Sequence, residues 1–212
     1  MFKRLREDIA IIKERDPAAR NVFEILLTYS GLHAILLHRL SNKLYRKKMM
    51  TAARAVSQFA RFLTGIEIHP GATIGKRLFI DHGTGVVIGE TAVIGDNCII
   101  YQGVTLGGTG KDKGIRHPTL GDNVIVGAGA KVLGPFKVGN NVKIAANAVV
   151  LNPIPDDSTA VGVPARVVKH KGKRVVAELD HVHIPDPVAT ELCKQNIRIE
   201  KLEKKLKALD GN

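Results

Sequence analysis

Two hydrophobic periods divide the chain into a helical part and a repetitive part. Up to about residue 63, apolar residues recur at intervals of three and four, as at Leu32, Ile35 and Leu36. This spacing lines one face of a helix with apolar side chains. The sequence therefore predicts an α-helical cap over residues 1–65.

After the cap, an apolar residue stands at every sixth position. The series has a two-residue shift and one interruption, and it runs through Ile68, Ile74, Ile80, Val86, Ile88, Ile94, Ile100, Leu106, Leu120, Val126, Val132, Val138, Ile144 and Val150. No helix has this period, whereas in a hexapeptide β-helix each repeat forms one short strand and a corner of a stacked coil. We expect a parallel β-helix of about five coils over residues 66–168, with the apolar ladder facing inward.

Two segments outside the repeat are predicted to leave its wall. The interruption, GGTGKDKGIRHP at residues 107–118, is rich in glycine and charge. A stacked coil accommodates an insertion only as a loop, so an exposed arm is expected, and such loops often carry function. The tail, residues 169–212, places Leu192, Ile199 and Leu206 seven apart, which predicts a C-terminal helix that packs against another chain.

Asp16-Pro17 is a capping signal inside the helical part. A carboxylate at an N-cap accepts free backbone N–H groups, and proline needs no donor at the first helical position. A helix is therefore expected to restart at Pro17.

The charge of the chain is uneven. The net charge is +12, and residues 1–65 contribute most of it, with 13 Lys and Arg against 5 Asp and Glu. Aromatic residues make up 4% of the chain and tryptophan is absent, so side chains that stack on nucleic-acid bases are scarce. These features do not favour nucleic-acid binding.

Cysteine use and hydropathy point to a protein of the cytoplasm. Cys98 and Cys193 are far apart and match no metal or redox spacing, so they are expected to be reduced thiols. No apolar run reaches the length of a membrane span, and the N-terminal segment is a charged amphipathic helix rather than a signal peptide. We expect neither membrane insertion nor export.

Several motifs together resemble those of serine acetyltransferases. They are RDPA at 15–18, GLHA at 31–34, IHPGATIG at 68–75, IDHGTGVVIGETAVIG at 80–95, QGVTLGGTGK at 102–111, RHP at 116–118, GAGAKVLG at 127–134 and GVPAR at 162–166. The resemblance implies a left-handed β-helix and homotrimers with active sites between neighbouring helices. It also implies transfer of acetyl from acetyl-CoA to L-serine in cysteine biosynthesis, without a metal and with L-cysteine as feedback inhibitor.

The resemblance and the chemistry of acyl transfer together indicate a catalytic pair. Transfer to a hydroxyl needs a general base, and His82 in the DHGTG motif is the candidate for this role. Glu67, nearly one coil earlier, is the candidate to orient the imidazole, where most relatives have Asp. The alternatives are a surface histidine at a corner and a solvated glutamate at the entry to the first strand.

The resemblance also assigns residues that bind serine. Asp16 and Asp81 match positions that hold the ammonium group, and Arg116 and His117 match positions that hold the carboxylate. The charges are complementary, since the guanidinium fork suits a carboxylate. The alternatives are an N-cap for Asp16, a turn residue for Asp81 and ordinary loop polar residues for the other two.

Coenzyme A is expected to lie along the wall of the coil. By resemblance its track includes Gly108, Ala128, Lys143 and Ala146, because small residues allow close approach of the pantetheine arm. Ala145 stands where relatives more often have glycine. The alternative is that the small residues merely turn the coil.

Other functions remain open at this point. A xenobiotic or sugar acetyltransferase on the same fold would differ in its acceptor. A zinc carbonic anhydrase with a β-helix would need three histidine ligands, for which His69, His82 and His117 are the candidates, although the closely spaced pair expected on one turn is missing. A scaffold role would leave the DHGTG and RHP motifs unexplained.

The two ends of the chain bear on its assembly. Relatives that form hexamers have a longer N-terminal helical domain, which favours a homotrimer here. The chain ends in Asn212, which lacks the branched apolar surface of the terminal isoleucine that many relatives insert into O-acetylserine sulfhydrylase. We therefore do not expect tight binding to that enzyme.

Overall fold

The N-terminal part of the chain is helical, as predicted. The structure is a computed structural model that describes residues 2–110 and 114–169, together with 195, 196, 198, 199 and 202. The helices are α1 (Phe2–Arg15), α2 (Val22–Thr28), α3 (Ser30–Arg46) and α4 (Met50–Thr64). No helix in these described ranges is long and apolar enough to cross a membrane.

The predicted restart of a helix at Pro17 is wrong. The Asp16 carboxylate accepts the N–H of Ala18 at 2.8 Å, and the N–H of Ala19 donates to the Asp16 carbonyl at 3.1 Å, which closes a turn. The next helix begins at Val22, where Asn21 is the N-cap and its side chain accepts the Glu24 N–H at 2.9 Å. Asp16 does accept backbone donors, but it ends one element instead of starting another.

Residues 66–110 and 114–169 form a parallel β-helix, which confirms the predicted period of six. Its strands are β1 (Glu67–Ile68), β2 (Thr73–Ile74), β3 (Phe79–Ile80), β4 (Val87–Ile88), β5 (Val93–Ile94), β6 (Ile99–Ile100), β7 (Thr105–Gly107), β8 (Thr119–Leu120), β9 (Ile125–Val126), β10 (Lys131–Leu133), β11 (Lys137–Val138), β12 (Lys143–Ile144), β13 (Val149–Val150), β14 (Ser158–Val161) and β15 (Arg166–Lys169). The first sheet contains β1, β4, β7, β10 and β13, and the second contains β2, β5, β8 and β11. The third contains β3, β6, β9, β12 and β14, with β15 antiparallel at its edge.

The strand register locates both irregularities of the repeat. Ile68 pairs with Ile88, twenty residues later, so the first coil is two residues longer than three hexapeptides. These two residues lie in the corner between β3 and β4, which contains the DHGTG motif. Val93 pairs with Thr119, so the arm adds eight residues to a later coil.

The inward ladder is the main core. All of its residues are buried except Ile74, which is partly buried. A second apolar cluster joins the outer face of the third sheet to the helices, where Phe79 and Ile99 pack with Ile11, Ile25 and Leu32. This packing fixes the end of α1 and the start of α3 beside the corner that follows β3.

Little of the C-terminal tail belongs to the described residues. Residues 195, 196, 198, 199 and 202 are helical, and Ile199 and Leu202 are exposed in the single chain. Leu192 and Leu206 of the predicted heptad lie outside the described residues.

Candidate active site

A cleft lies at the corner between the third and first sheets. It has a volume of about 280 Å³ and is lined by residues that follow α1, that join α2 to α3, and that end β3, namely Asp16, Thr28, Tyr29, Ser30, Gly31, Ile80, Asp81 and His82. A Cβ at Gly31 would collide with the carbonyl oxygen of Ile80, so glycine is what lets α3 approach the strand. The sequence-predicted Asp16, Asp81 and His82 are therefore brought together.

His82 projects from the lengthened corner. Its backbone is left-handed, with φ of 57°, and its side chain is 75% exposed. Gly83 follows with φ of 75°, and a Cβ there would lie 2.5 Å from Ile66 Cδ1. The two extra residues of this coil thus turn the imidazole out of the wall and into the cleft.

The Asp16 carboxylate is held from two sides. Its Oδ1 accepts the Ala18 N–H at 2.8 Å, and its Oδ2 accepts the hydroxyl of Tyr29 at 2.6 Å. Burial and the hydrogen bond to Asp16 raise the pKa of Tyr29 far above its usual value, so the phenol remains a donor. Tyr29 was not predicted as a site residue, and no sequence motif singles it out.

Asp81 adds a second carboxylate to the cleft. Its Oδ1 lies 4.0 Å from His82 Nε2. Burial, and then the negative charge of Asp81, raise the pKa of the nearby Tyr101 to about 12. Two acidic groups therefore face one small volume, an arrangement that suits a cation.

Glu67 is not in contact with His82 in the single chain. Its carboxylate forms an ion pair with Arg61 of α4 at 3.2 Å, and it makes no hydrogen bond to the imidazole within the part of the chain described. The predicted orienting role of Glu67 is therefore not assembled in this arrangement.

Arg116 and His117 lie at the other end of β4, at the corner between the first and second sheets. The Arg116 guanidinium pairs with Glu90 at 2.8 Å, and the Nδ1 of His117 lies 2.8 Å from the hydroxyl of Thr91. Burial, followed by the Arg116 charge, lowers the pKa of His117, although Glu90 opposes this. Neither residue lines the cleft around His82.

Glu90 and Thr91 are site residues that the sequence reasoning missed, although a signal was present. Each lies 26 residues before its partner in the arm, the same offset by which Val93 pairs with Thr119. Counting the coil length across the arm would have placed Arg116 beside Glu90.

The predicted coenzyme A residues are spread over two edges of the coil. Ala128 and Ala146 stack above the His82 corner, where the Asn147 N–H donates to the Ala128 carbonyl at 2.8 Å. Lys143 begins β12 in the third sheet. Gly108 lies at the base of the arm, where a Cβ would be 2.9 Å from the Arg116 carbonyl oxygen.

The histidines considered as zinc ligands do not converge in the single chain. Within the described residues, no group of three or more His, Cys, Asp or Glu side chains could hold a metal ion. His69 contacts Tyr45 edge to face near Glu90, whereas His82 occupies the other corner.

The sequence of this chain is similar to those of known hexapeptide-repeat proteins. The family described as bacterial transferase hexapeptide (six repeats) matches residues 117–152. A serine acetyltransferase of Staphylococcus aureus (strain N315) is 58% identical over 201 residues, covering 95% of this chain and 94% of that protein.

Solved structures of serine acetyltransferases are also similar to this chain. The serine acetyltransferase of Neisseria gonorrhoeae in complex with serine is 44% identical with a TM-score of 0.76, covering 79% of this chain and 68% of that one. A serine acetyltransferase in complex with cysteine is also 44% identical with a TM-score of 0.76, covering 80% and 66%.

The coiled fold and the matched repeats define a hexapeptide-repeat transferase. The identity extends over almost the whole chain, and the cleft carries the DHGTG histidine. The chain belongs to the serine acetyltransferase family, which confirms the resemblance seen in its motifs.

Proposed function

We propose that this chain transfers the acetyl group of acetyl-CoA to the hydroxyl of L-serine, which gives O-acetyl-L-serine for cysteine biosynthesis in the cytoplasm. The observation that carries the proposal is the cleft in which the exposed imidazole of His82 adjoins the carboxylates of Asp16 and Asp81. The two carboxylates bind the serine ammonium. This leaves the seryl hydroxyl near the imidazole.

His82 is the general base. A neutral ring nitrogen takes the proton of the seryl hydroxyl while the oxygen attacks the thioester carbon. When the tetrahedral intermediate collapses, the carbon–sulfur bond breaks and the imidazolium returns its proton to the coenzyme A thiolate. Glu67 stabilises the imidazolium once the base is charged, after exchanging its ion pair with Arg61 for one with His82.

The carboxylate of serine is bound by Arg116 and His117 of a neighbouring chain in a homotrimer of left-handed β-helices. Support comes from the position of the two clusters at opposite ends of β4. A single chain offers a cation-binding half and an anion-binding half at different corners. Side-by-side packing of identical coils brings one corner against the other.

Coenzyme A lies along the edge that carries Ala128 and Ala146, with Gly108 contributed by the arm of the neighbouring chain that supplies Arg116. This edge stacks directly above the His82 corner, so the thioester reaches the imidazole. Lys143 begins β12, three residues before Ala146, and binds a polar part of the cofactor in this proposal. No metal takes part in this proposal.

L-cysteine, which differs from L-serine by sulfur for oxygen, acts as a competitive feedback inhibitor of the same cleft. A relative solved with cysteine and another solved with serine support this proposal. Tight complex formation with O-acetylserine sulfhydrylase is not part of it.

The test is release of coenzyme A from acetyl-CoA with a panel of acceptors. L-Serine is expected to exceed other amino acids, a galactoside and chloramphenicol by at least about tenfold in kcat/KM. A higher kcat/KM for a galactoside or for chloramphenicol than for L-serine would contradict the proposal and would indicate a sugar or xenobiotic acetyltransferase.

A further inference from the structure

A tyrosine hydroxyl at each end of α3 donates to a carboxylate of the candidate site. At the N-terminal end, Tyr29 donates to Asp16 at 2.6 Å, in the half of the site that suits a cation. At the C-terminal end, Tyr45 donates to Glu90 Oε1 at 3.1 Å, in the half that carries Arg116. The helix therefore supports both halves of the site within one chain.

The Glu90 carboxylate connects Tyr45 to the arm. Its Oε1 accepts the Tyr45 hydroxyl, and its Oε2 accepts Nη2 of Arg116 at 2.8 Å. Both contacts are partly buried. The terminal torsion of a glutamate is soft, so a carboxylate held on one oxygen can rotate, whereas one held on both oxygens has a fixed direction. Tyr45 thus restrains the acceptor that holds Arg116.

Tyr45 is itself held by the turn between β1 and β2. Its ring contacts His69 edge to face, with 5.9 Å between the ring centroids and 79° between the ring planes. The Gly71 N–H donates to His69 Nδ1 at 3.0 Å, which fixes that imidazole in turn. About one helical turn before Tyr45, the side chain of Asn42 donates to the Pro70 carbonyl at 2.7 Å. The end of α3 is therefore anchored to the coil beside Glu90.

The Tyr45 phenol remains a donor near neutral pH. The hydrogen bond to Glu90, followed by burial and by the charge of that carboxylate, raises the pKa of Tyr45 above its usual value. A phenol has a single hydrogen to donate, and Glu90 accepts it here. The contact therefore persists over the pH range in which a neutral histidine acts as a base.

The main chain of the arm is fixed by a separate group. The N–H groups of Arg116 and His117 donate to Thr91 Oγ1 at 3.0 and 3.2 Å. These bonds do not set the direction of the guanidinium, which lies beyond several rotatable bonds of the side chain. Among the described residues, Glu90 is the carboxylate that the guanidinium contacts. The direction of the guanidinium thus depends on Glu90.

We infer that Tyr45 is a positioning residue, which acts through Glu90 to direct the Arg116 guanidinium toward the carboxylate of L-serine. The inference rests on the proposed function, in which Arg116 binds that carboxylate. Glu90 takes one nitrogen of the guanidinium fork, and the other N–H groups remain for the substrate. Loss of the Tyr45 hydroxyl weakens binding of the carboxylate and leaves proton transfer at His82 unchanged.

The experiment compares L-serine with L-serinamide, which keeps the ammonium and the hydroxyl but has no carboxylate. In the full chain, Tyr45→Phe is expected to raise the KM for L-serine about three- to tenfold, with kcat within about twofold. The kcat/KM for L-serinamide should stay within about twofold of that of the unmodified chain, because this acceptor gives Arg116 no carboxylate to bind. A merely structural role of Tyr45 would affect both acceptors alike.

Tyr29→Phe is the matched control, because it removes the same hydroxyl at the other end of α3. Both acceptors keep the ammonium group, which Asp16 binds in the proposed function. This variant is therefore expected to lower kcat/KM for L-serine and for L-serinamide by similar factors. Melting temperatures above the assay temperature show that both variants are folded.

A second measurement tests the route through Arg116. In an Arg116→Ala background, Tyr45→Phe should lower kcat/KM for L-serine by less than about twofold, because the group that Tyr45 positions is already absent.

Three results would overturn the inference in an active enzyme. They are an unchanged KM for L-serine in Tyr45→Phe, equal losses with the two acceptors, and an undiminished effect of Tyr45→Phe in the Arg116→Ala background. An unmodified chain that does not acetylate L-serine would instead overturn the proposed function, on which the inference rests.

Discussion

The hydroxyl of Tyr29 donates a hydrogen bond of 2.6 Å to the carboxylate of Asp16, thirteen residues before it. The contact joins the turn after α1 to the start of α3, across the mouth of the cleft that contains His82. Asp16 is also tied to the Ala18 N–H at 2.8 Å. The proposed ligand of the serine ammonium is thus held in place before any substrate arrives.

Tyr29→Phe removes one of these two restraints without changing the size of the ring. We expect the KM for L-serine to rise by about three- to tenfold, which corresponds to one hydrogen bond to a charged group partly replaced by the second restraint. The KM for acetyl-CoA serves as the internal control and should stay within twofold, since the Tyr29 hydroxyl holds Asp16, the proposed ligand of the serine ammonium. An unchanged KM for serine, or equal changes in both constants, would contradict a positioning role for Tyr29.

Two replacements of His82 separate catalysis from backbone strain. Both His82→Asn and His82→Ala are expected to lower kcat by roughly 10²- to 10⁴-fold, because neither side chain can take the seryl proton. Asparagine tolerates the left-handed backbone at φ of 57°, whereas alanine does not. Denaturant unfolding should therefore show His82→Ala less stable than His82→Asn by about 1 kcal/mol. A His82→Asn variant with near-normal kcat would rule out the proposed base.

Much of the fold could be predicted because the six-residue spacing of the apolar positions determines which residues stack in successive coils. The apolar period gave the ladder from Ile68 to Val150, and its two-residue shift marked the corner from which His82 projects. The turn at Asp16 could not be predicted reliably, because the same carboxylate chemistry serves an N-cap and a turn. In the folded chain Asn21, and not Asp16, caps the next helix.

The candidate site was harder to predict than the fold. Sequence motifs supplied His82, Asp81 and Arg116, but they did not state which of these meet within one chain. Glu67 shows the difficulty, because its ion pair with Arg61 depends on where α4 packs. Tyr29 is another example, since its partner is set by the approach of α3 to the coil rather than by local spacing.

The buried His38 predicts a pH dependence of stability. The pKa of His38 is about 4 in the folded chain against an ordinary value of 6.5. Between pH 4 and pH 6.5 the imidazole is therefore protonated in the unfolded chain and neutral in the folded chain. This contribution to stability is complete above about pH 6.5 and is lost as the pH falls toward 4. Between pH 7.5 and pH 5 the loss amounts to about 2 kcal/mol.

The measurement is denaturant unfolding at both pH values, in phosphate-free buffer, for the unmodified chain and for His38→Gln. Other groups titrate equally in both proteins. The unmodified chain should therefore lose about 2 kcal/mol more than the variant. Parallel losses would mean that the imidazole is not shielded from water.

The last prediction concerns a site shared between chains, and it uses two lesions that lie at different corners. His82→Ala removes the proposed base, and Arg116→Ala removes the proposed carboxylate ligand. Each variant by itself should be nearly inactive when assayed at low L-serine. If one chain supplies His82 and its neighbour supplies Arg116, refolding the two variants together in equal amounts produces some interfaces that contain both residues.

The expected recovery follows from counting interfaces. An interface is active only when the first chain retains His82 and the second retains Arg116, so random assembly restores about a quarter of the full activity. A site contained within one chain would restore nothing, because every chain carries a lesion. As a control, the unmodified chain is mixed equally with a chain that carries both lesions. A shared site then leaves about a quarter of the activity, whereas a site within one chain leaves about a half.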